Sequence, residues 1–153
     1  MDLDRLSAMT DVPKSWLTEN EVVEAVAEHL RKAGWDKLRT CNTMQQGIDI
    51  CAERNGVTLA VEAKGGGSSK PGTTKYGEPF STGQKRSHVA VAVLTALGVA
   101  SSGKQQAAIA FPDDAGHLRL IGEIWPALQR LNIDVYFVAP DKSVRFGMIE
   151  ANA

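Results

Sequence analysis

The chain has 153 residues, 43% apolar and 23% charged, which fits one globular domain with one core and excludes a disordered or fibrous chain. A net charge of −1 and a pI near 6.3 exclude a protein that coats nucleic acid through a global basic surplus, though not one that binds it in a local basic groove. Two cysteines without a C-x-x-C pair, Cys41 and Cys51, exclude a disulfide framework and a zinc knuckle. No signal peptide or membrane-length apolar run is visible, so a cytoplasmic protein without a membrane partner is expected.

Residues 1–17 lack periodicity and contain Pro13, and read as an N-terminal arm ahead of a single domain over 18–153. Thr18 followed by Glu21 has the form of a capping box. Val22, Val23, Val26, Leu30 and Ala33 continue at helical spacing, and Gly34 supplies the stop. A short extended stretch at 38–41 precedes two strands at about 47–53 and 57–64, joined by Asn55-Gly56. That dipeptide between alternating apolar runs marks a type I′ hairpin, whose two central residues need positive φ. Residues 65–83 form a Gly/Ser/Pro/Thr-rich loop without periodicity, a length more often functional than decorative. The remaining expected elements are a helix at about 84–97, a strand at 106–111 stopped by Pro112, a helix at about 118–131 containing Pro126, and a strand at 133–138. A turn at Asp141-Lys142 and a final short strand close the chain. The expected class is α/β, a central mixed sheet flanked by helices in the order α-β-β-β-α-β-α-β.

The hairpin sets up the chemistry. A two-residue turn at Asn55-Gly56 makes Arg54 oppose Val57, Ile50 oppose Val61 and Asp49 oppose Glu62. Alternation then gives one apolar face (Ile48, Ile50, Ala52, Val57, Leu59, Val61) and a second face with Asp49, Cys51, Thr58, Ala60, Glu62 and Lys64. Carboxylates directly across a strand pair lie about 5 Å apart at Cβ and repel, unless a positive charge sits between them. Mg²⁺ or Mn²⁺, a hard cation with oxygen ligands, suits that place, and an adjacent lysine suits phosphodiester hydrolysis. Glu19 falls in the centre of the apolar stripe of the first helix, where an unpaired carboxylate is costly and a neighbouring metal site would offset it.

With Gly-Ile-Asp49, Val-Glu62-Ala-Lys64 and a preceding helix that opens with Glu19, the sequence resembles the PD-(D/E)xK nuclease superfamily over about residues 18–100. The resemblance implies a restriction-endonuclease-like fold and a divalent-metal-dependent endonuclease, with DNA favoured over RNA. It implies that Asp49, Glu62 and the Ala63 carbonyl hold the metal, that Glu19 completes the site, and that Lys64 assists the attacking water. It also places Gln84 facing the site from the start of the next helix. Ile48 stands where the motif has Pro, a departure that leaves the chemistry untouched.

Lys70, Lys75, Lys85 and Arg86 give a local basic surplus suited to a phosphate backbone, or equally to a solvated loop. Gly65-Gly66-Gly67 lacks the spacing of a phosphate-binding loop. His88, one turn beyond Gln84, reads as a surface or core histidine that could also face a phosphate, while His29 and His117 have no partner at ligand spacing. The alternative function is a non-cleaving nucleic-acid-binding or interaction module on the same fold. A homodimer is compatible with a domain this small that must cut both strands.

Overall fold

A computed structural model describes residues 16–40, 47–68 and 77–148. Its elements are α1 (Glu19–Lys32), β1 (Asp36–Thr40), β2 (Ile50–Arg54), β3 (Val57–Ala63), α2 (Thr82–Ser102), β4 (Gln106–Pro112), α3 (Ala115–Arg130), β5 (Asp134–Val138) and β6 (Val144–Phe146). The strands form one sheet in sequence order. β1, β2 and β3 are antiparallel, β3, β4 and β5 are parallel, and β6 returns antiparallel to β5. The α/β class and mixed sheet match the expectation, and β6 is the short final strand.

Both faces of the sheet are covered. Val22, Val26 and Leu30 of α1 pack with Ile50, Leu59, Val61, Ala63, Ala108 and Ala110 on one side. Val89, Ala92 and Ala96 of α2 and Leu120, Ile121 and Leu128 of α3 pack with Ala107, Ile109, Phe111 and Val135 on the other. The strict alternation along β4 (107, 109 and 111 one way, 108 and 110 the other) is the pleat of a strand buried on both sides. The even-numbered face of β3, which alternation alone leaves uncovered, therefore lies under α2. No described helix is long and apolar enough to cross a membrane.

Local signals account for most boundaries. Thr18 and Glu21 form the expected capping box of α1. Asn55 and Gly56 both have positive φ (51° and 78°), and β2 pairs with β3 from Arg54↔Val57 to Ile50↔Val61, the expected register. Three boundaries differ. α2 starts at Thr82 behind a Ser81 cap and runs through Gly98 to Gly103, whose φ of 68° ends it; one helical glycine costs only about 1 kcal/mol. α3 starts at Ala115 because Asp114 caps it by accepting from the His117 N–H, a signal hidden by the Pro126 that breaks the pattern downstream. The described ends of the 65–83 loop are paired, with Gly67 bridging Pro79 and the Phe80 N–H donating to the Gly66 carbonyl at 2.8 Å.

Trp16 and Leu17, read as the end of the arm, belong to the domain. Leu17 is buried with the α1 core, and its carbonyl accepts from the Gly66 N–H at 2.8 Å. The expected arm over 1–15 lies outside the described residues. The glycine run after β3 has a steric cause. A Cβ on Gly65 would come within 2.4 Å of the Glu19 nitrogen, and one on Gly67 within 2.7 Å of the Trp16 ring. The chain leaving β3 thus slides directly against the N-terminus of α1, which brings Lys64 beside Glu19. Gly65→Ala is expected to lower stability by about 1–3 kcal/mol, the usual penalty of overpacking. Urea denaturation checks this; an unchanged midpoint would show that the approach is not tight.

Candidate active site

The hairpin register sets Asp49, one residue before β2, beside the end of β3. Its Oδ2 accepts from the Ala63 N–H at 2.8 Å, which ties the carboxyl to the strand carrying Glu62. Asp49 is one of two buried polar residues among those described, the other being His117. Asp49 and Glu62 are neighbours, and each affects the other's carboxyl. The Lys64 Nζ lies 3.2 Å from Glu62 Oε1 and 3.8 Å from Glu19 Oε1. The structure therefore brings together Asp49, Glu62, Lys64 and Glu19 where parallel strand β3 ends, the side of an α/β sheet at which ligands usually bind.

The electrostatics of this group are unbalanced. Burial pushes the Asp49 carboxyl up, against the Ala63 N–H and the Lys64 charge, which hold it down. Burial also pushes Glu62 up, and the neighbouring Asp49 adds to it, while Lys64 opposes. Three carboxylates and one ammonium, all ionised, leave a net charge of −2. A hard divalent cation would neutralise that charge, and Mg²⁺ characteristically takes one or two carboxylates and fills its shell with water and substrate phosphate. Asp49 and Glu62 fit that donor set. Glu19 instead engages Lys64, and among the described residues no three His, Cys, Asp or Glu side chains are gathered as ligands. Ala63, expected to offer its carbonyl, serves Asp49 through its N–H.

Gln84 and Lys85, also expected at the site, have partners of their own. The Gln84 Oε1 accepts from the Ser81 N–H at 2.8 Å, and the Gln84 N–H returns the bond to Ser81 Oγ. Gln84 is thus the closing residue of the α2 capping box, which holds its carbonyl oxygen at the helix end. Lys85 is mostly buried and pairs with Asp114 at 3.2 Å, so it clamps α2 to α3 rather than standing free for phosphate. Arg86 is exposed at a groove with Val89, Leu120 and Glu123. Lys70 and Lys75 lie outside the described residues.

The sequence reading missed the Asp114–His117 pair. His117 is wholly buried, its Nδ1 2.8 Å from Asp114 Oδ2, and the two hydrogen bonds from His117 help to hold the Asp114 carboxyl at about 2 despite its burial. The available signal was Asp114 three residues before His117 just after Pro112, a helix N-cap. His88 lies on the same side of the sheet, its ring edge-on to Phe80 at 4.3 Å between centroids. Burial first, then the charges of Lys64 and His117, lower its pKa.

No family model and no curated protein matches this chain.

Raised folded pKa values at Asp49 and Glu62 mean that the folded chain holds more protons than the unfolded one between the ordinary carboxylate range and the raised values. Their contribution to stability accordingly falls as pH rises through that window and recovers on acidification. Asp49→Asn, which keeps the acceptor for the Ala63 N–H and removes one like charge, is expected to raise the melting temperature in chelator at pH 7. One like-charge contact is worth up to about 1 kcal/mol, or about 2–4 °C at this size. Calorimetry of both proteins across pH 4–8 checks this; a lower melting temperature for the variant at pH 7 would refute it.

Proposed function

We propose that the chain is a divalent-metal-dependent nuclease that hydrolyses phosphodiester bonds, with DNA as its substrate and endonucleolytic cleavage as its mode. The observation that carries this reading is the largely buried Asp49–Glu62 pair with the Lys64 ammonium against it, a cluster of hard oxygen donors beside a single positive charge. The resemblance of Asp49, Glu62-Ala63-Lys64 and Glu19 to the PD-(D/E)xK nucleases supports the same reading, and with it a restriction-endonuclease-like arrangement of the α/β fold.

The protein groups divide the work by their chemistry. Asp49 and Glu62 would hold Mg²⁺ or Mn²⁺, which when bound supplies Lewis acidity toward a phosphoryl oxygen and lowers the pKa of water. Asp49 is fixed by the Ala63 N–H, so its carboxyl is preorganised. Lys64 is paired with two glutamates, and an ammonium donates hydrogen bonds. Its role is to neutralise charge building on the phosphate and to orient the attacking water. Glu19, reached because the glycine run lets β3 pass against α1, keeps that ammonium in place.

The test is cleavage of supercoiled plasmid, linear duplex, single-stranded DNA, branched DNA and RNA in Mg²⁺ or Mn²⁺. Asp49→Ala and Lys64→Ala are each expected to lose about 100-fold or more in rate, the scale of removing one group that stabilises transition-state charge. Glu19→Gln is expected to lose less, because Lys64 keeps Glu62. Wild-type protein that cuts none of these substrates, together with no metal-induced rise in melting temperature, would overturn the reading.

A further inference from the structure

Strand β1 carries one residue more than its pairing with β2 needs. The pairing starts at Asp36↔Glu53 and resumes at Arg39↔Cys51 and Thr40↔Ile50, three steps along β1 against two along β2. Continued without a break, the first pair would set Leu38 opposite Cys51 and Arg39 opposite Ile50, on the side covered by α1. The extra residue is taken up beside Lys37, a non-glycine held at a φ of 49°. A bulge of this kind turns the side chains beyond it to the other face of the sheet. Here it gives Leu38 to the α1 core and turns Arg39 to the face of Cys51.

That face belongs to the candidate site. Cys51 follows Asp49 by two residues, and its partner Ala60 precedes Glu62 by two. Arg39 thus stands one strand across from Asp49 and two residues along, about 5 Å by about 7 Å along the backbone lattice. The helices on this side pack over β3, β4 and β5, and the sheet continues past them as an open floor. Cys51 and Thr58 are half-buried there, and Arg39 is exposed. With Lys37 and Glu53 they line a groove of about 390 Å³. The two cations of the groove differ. Lys37 is paired with Glu53 at 3.2 Å, whereas Arg39 has no ion pair among the described residues. A costly backbone conformation is therefore kept in place to present a guanidinium, the planar fork of donors that matches a phosphate.

We propose that this open floor is the track of the substrate strand, and that Arg39 holds the phosphate next to the one cleaved. The proposal rests on the nuclease reading and adds to it the path of the backbone. The offset between Arg39 and Asp49 is on the scale of one backbone step of a nucleic-acid strand, so both ends can be engaged by one strand lying across β1 and β2. A bidentate grip on the neighbouring phosphate fixes the register of the strand over the carboxylates. It touches no base, so it positions the strand without reading its sequence. Arg39 is a positioning residue, and the chemistry stays with Asp49, Glu62 and Lys64.

Fluorescence anisotropy of a labelled DNA oligonucleotide with the full chain in Ca²⁺, repeated across salt concentrations, tests the track without reference to cleavage. Arg39→Gln is expected to weaken binding about tenfold and to reduce the slope of log affinity against log salt by about one. Arg39→Lys, which keeps the charge, should recover the slope. Arg130→Gln, the same change of charge on the exposed last turn of α3, should bind as the wild type does. In a Cys41→Ser background, where Cys51 is the only thiol, saturating oligonucleotide is expected to protect Cys51 from maleimide labelling. In cleavage assays Arg39→Gln should raise KM more than it lowers kcat. An Arg39→Gln protein that binds with the affinity and salt slope of Arg130→Gln, or a Cys51 labelled equally fast with oligonucleotide bound, would overturn the track. Should the wild type cut DNA all the same, the nuclease reading stands without it. A wild type that neither binds nor cuts overturns both.

Discussion

Two carboxyl groups on adjacent strands, drawn partly out of water and with a single ammonium beside them, set the terms for the rest of this molecule. Asp49 and Glu62 each resist ionisation because burial removes their hydration, and Glu62 resists further because Asp49 is its neighbour. A fold seeking only stability would separate them or bury apolar side chains in their place. Instead the surroundings hold them: the Ala63 N–H fixes Asp49, and Lys64 bridges Glu62 to Glu19. Such concentrated cost, offset by a well-packed sheet elsewhere, is characteristic of sites arranged for ligands rather than for folding.

Three backbone features allow the arrangement. The Asn55-Gly56 turn fixes which residues face each other on β2 and β3, so a one-residue slip would turn Glu62 into the α1 core. The glycines after β3 let that strand exit against the start of α1, where any side chain at Gly65 would strike the Glu19 backbone. The parallel β3–α2–β4 and β4–α3–β5 units then bring the first turns of α2 and α3 to the same end of the sheet as Lys64. Lys85 and Asp114 join those turns across the two helices.

The second polar cluster, Asp114 with His117, Lys85 and His88, is as unusual as the first for a region this buried. Asp114 does several things at once: it caps α3, fixes the His117 ring and holds the Lys85 ammonium. Its low pKa is the net result, because those bonds to the charged form outweigh the burial that opposes them. Gln84 illustrates the converse economy, since a side chain well placed in sequence to face a site is instead used to close a helix end.

What the sequence determined by itself was local. Asn55-Gly56 set the turn type and hence the register, alternation set the two faces of the hairpin, and Thr18 with Glu21 set the start of α1. These rest on contacts between residues close in the chain, so their rules survive without a fold, and they sufficed to put Asp49, Glu62 and Lys64 on one side. Tertiary structure decided everything that joins distant segments. That the Glu62 face lies under α2, that Glu19 meets Lys64, that Lys85 pairs with Asp114, and that His117 is sealed inside with an unpaired nitrogen all follow from how helices pack on a sheet. No pattern within one segment encodes which side chain of another will fill its surroundings, because that choice is made by steric fit and by the cost of leaving buried polar groups alone.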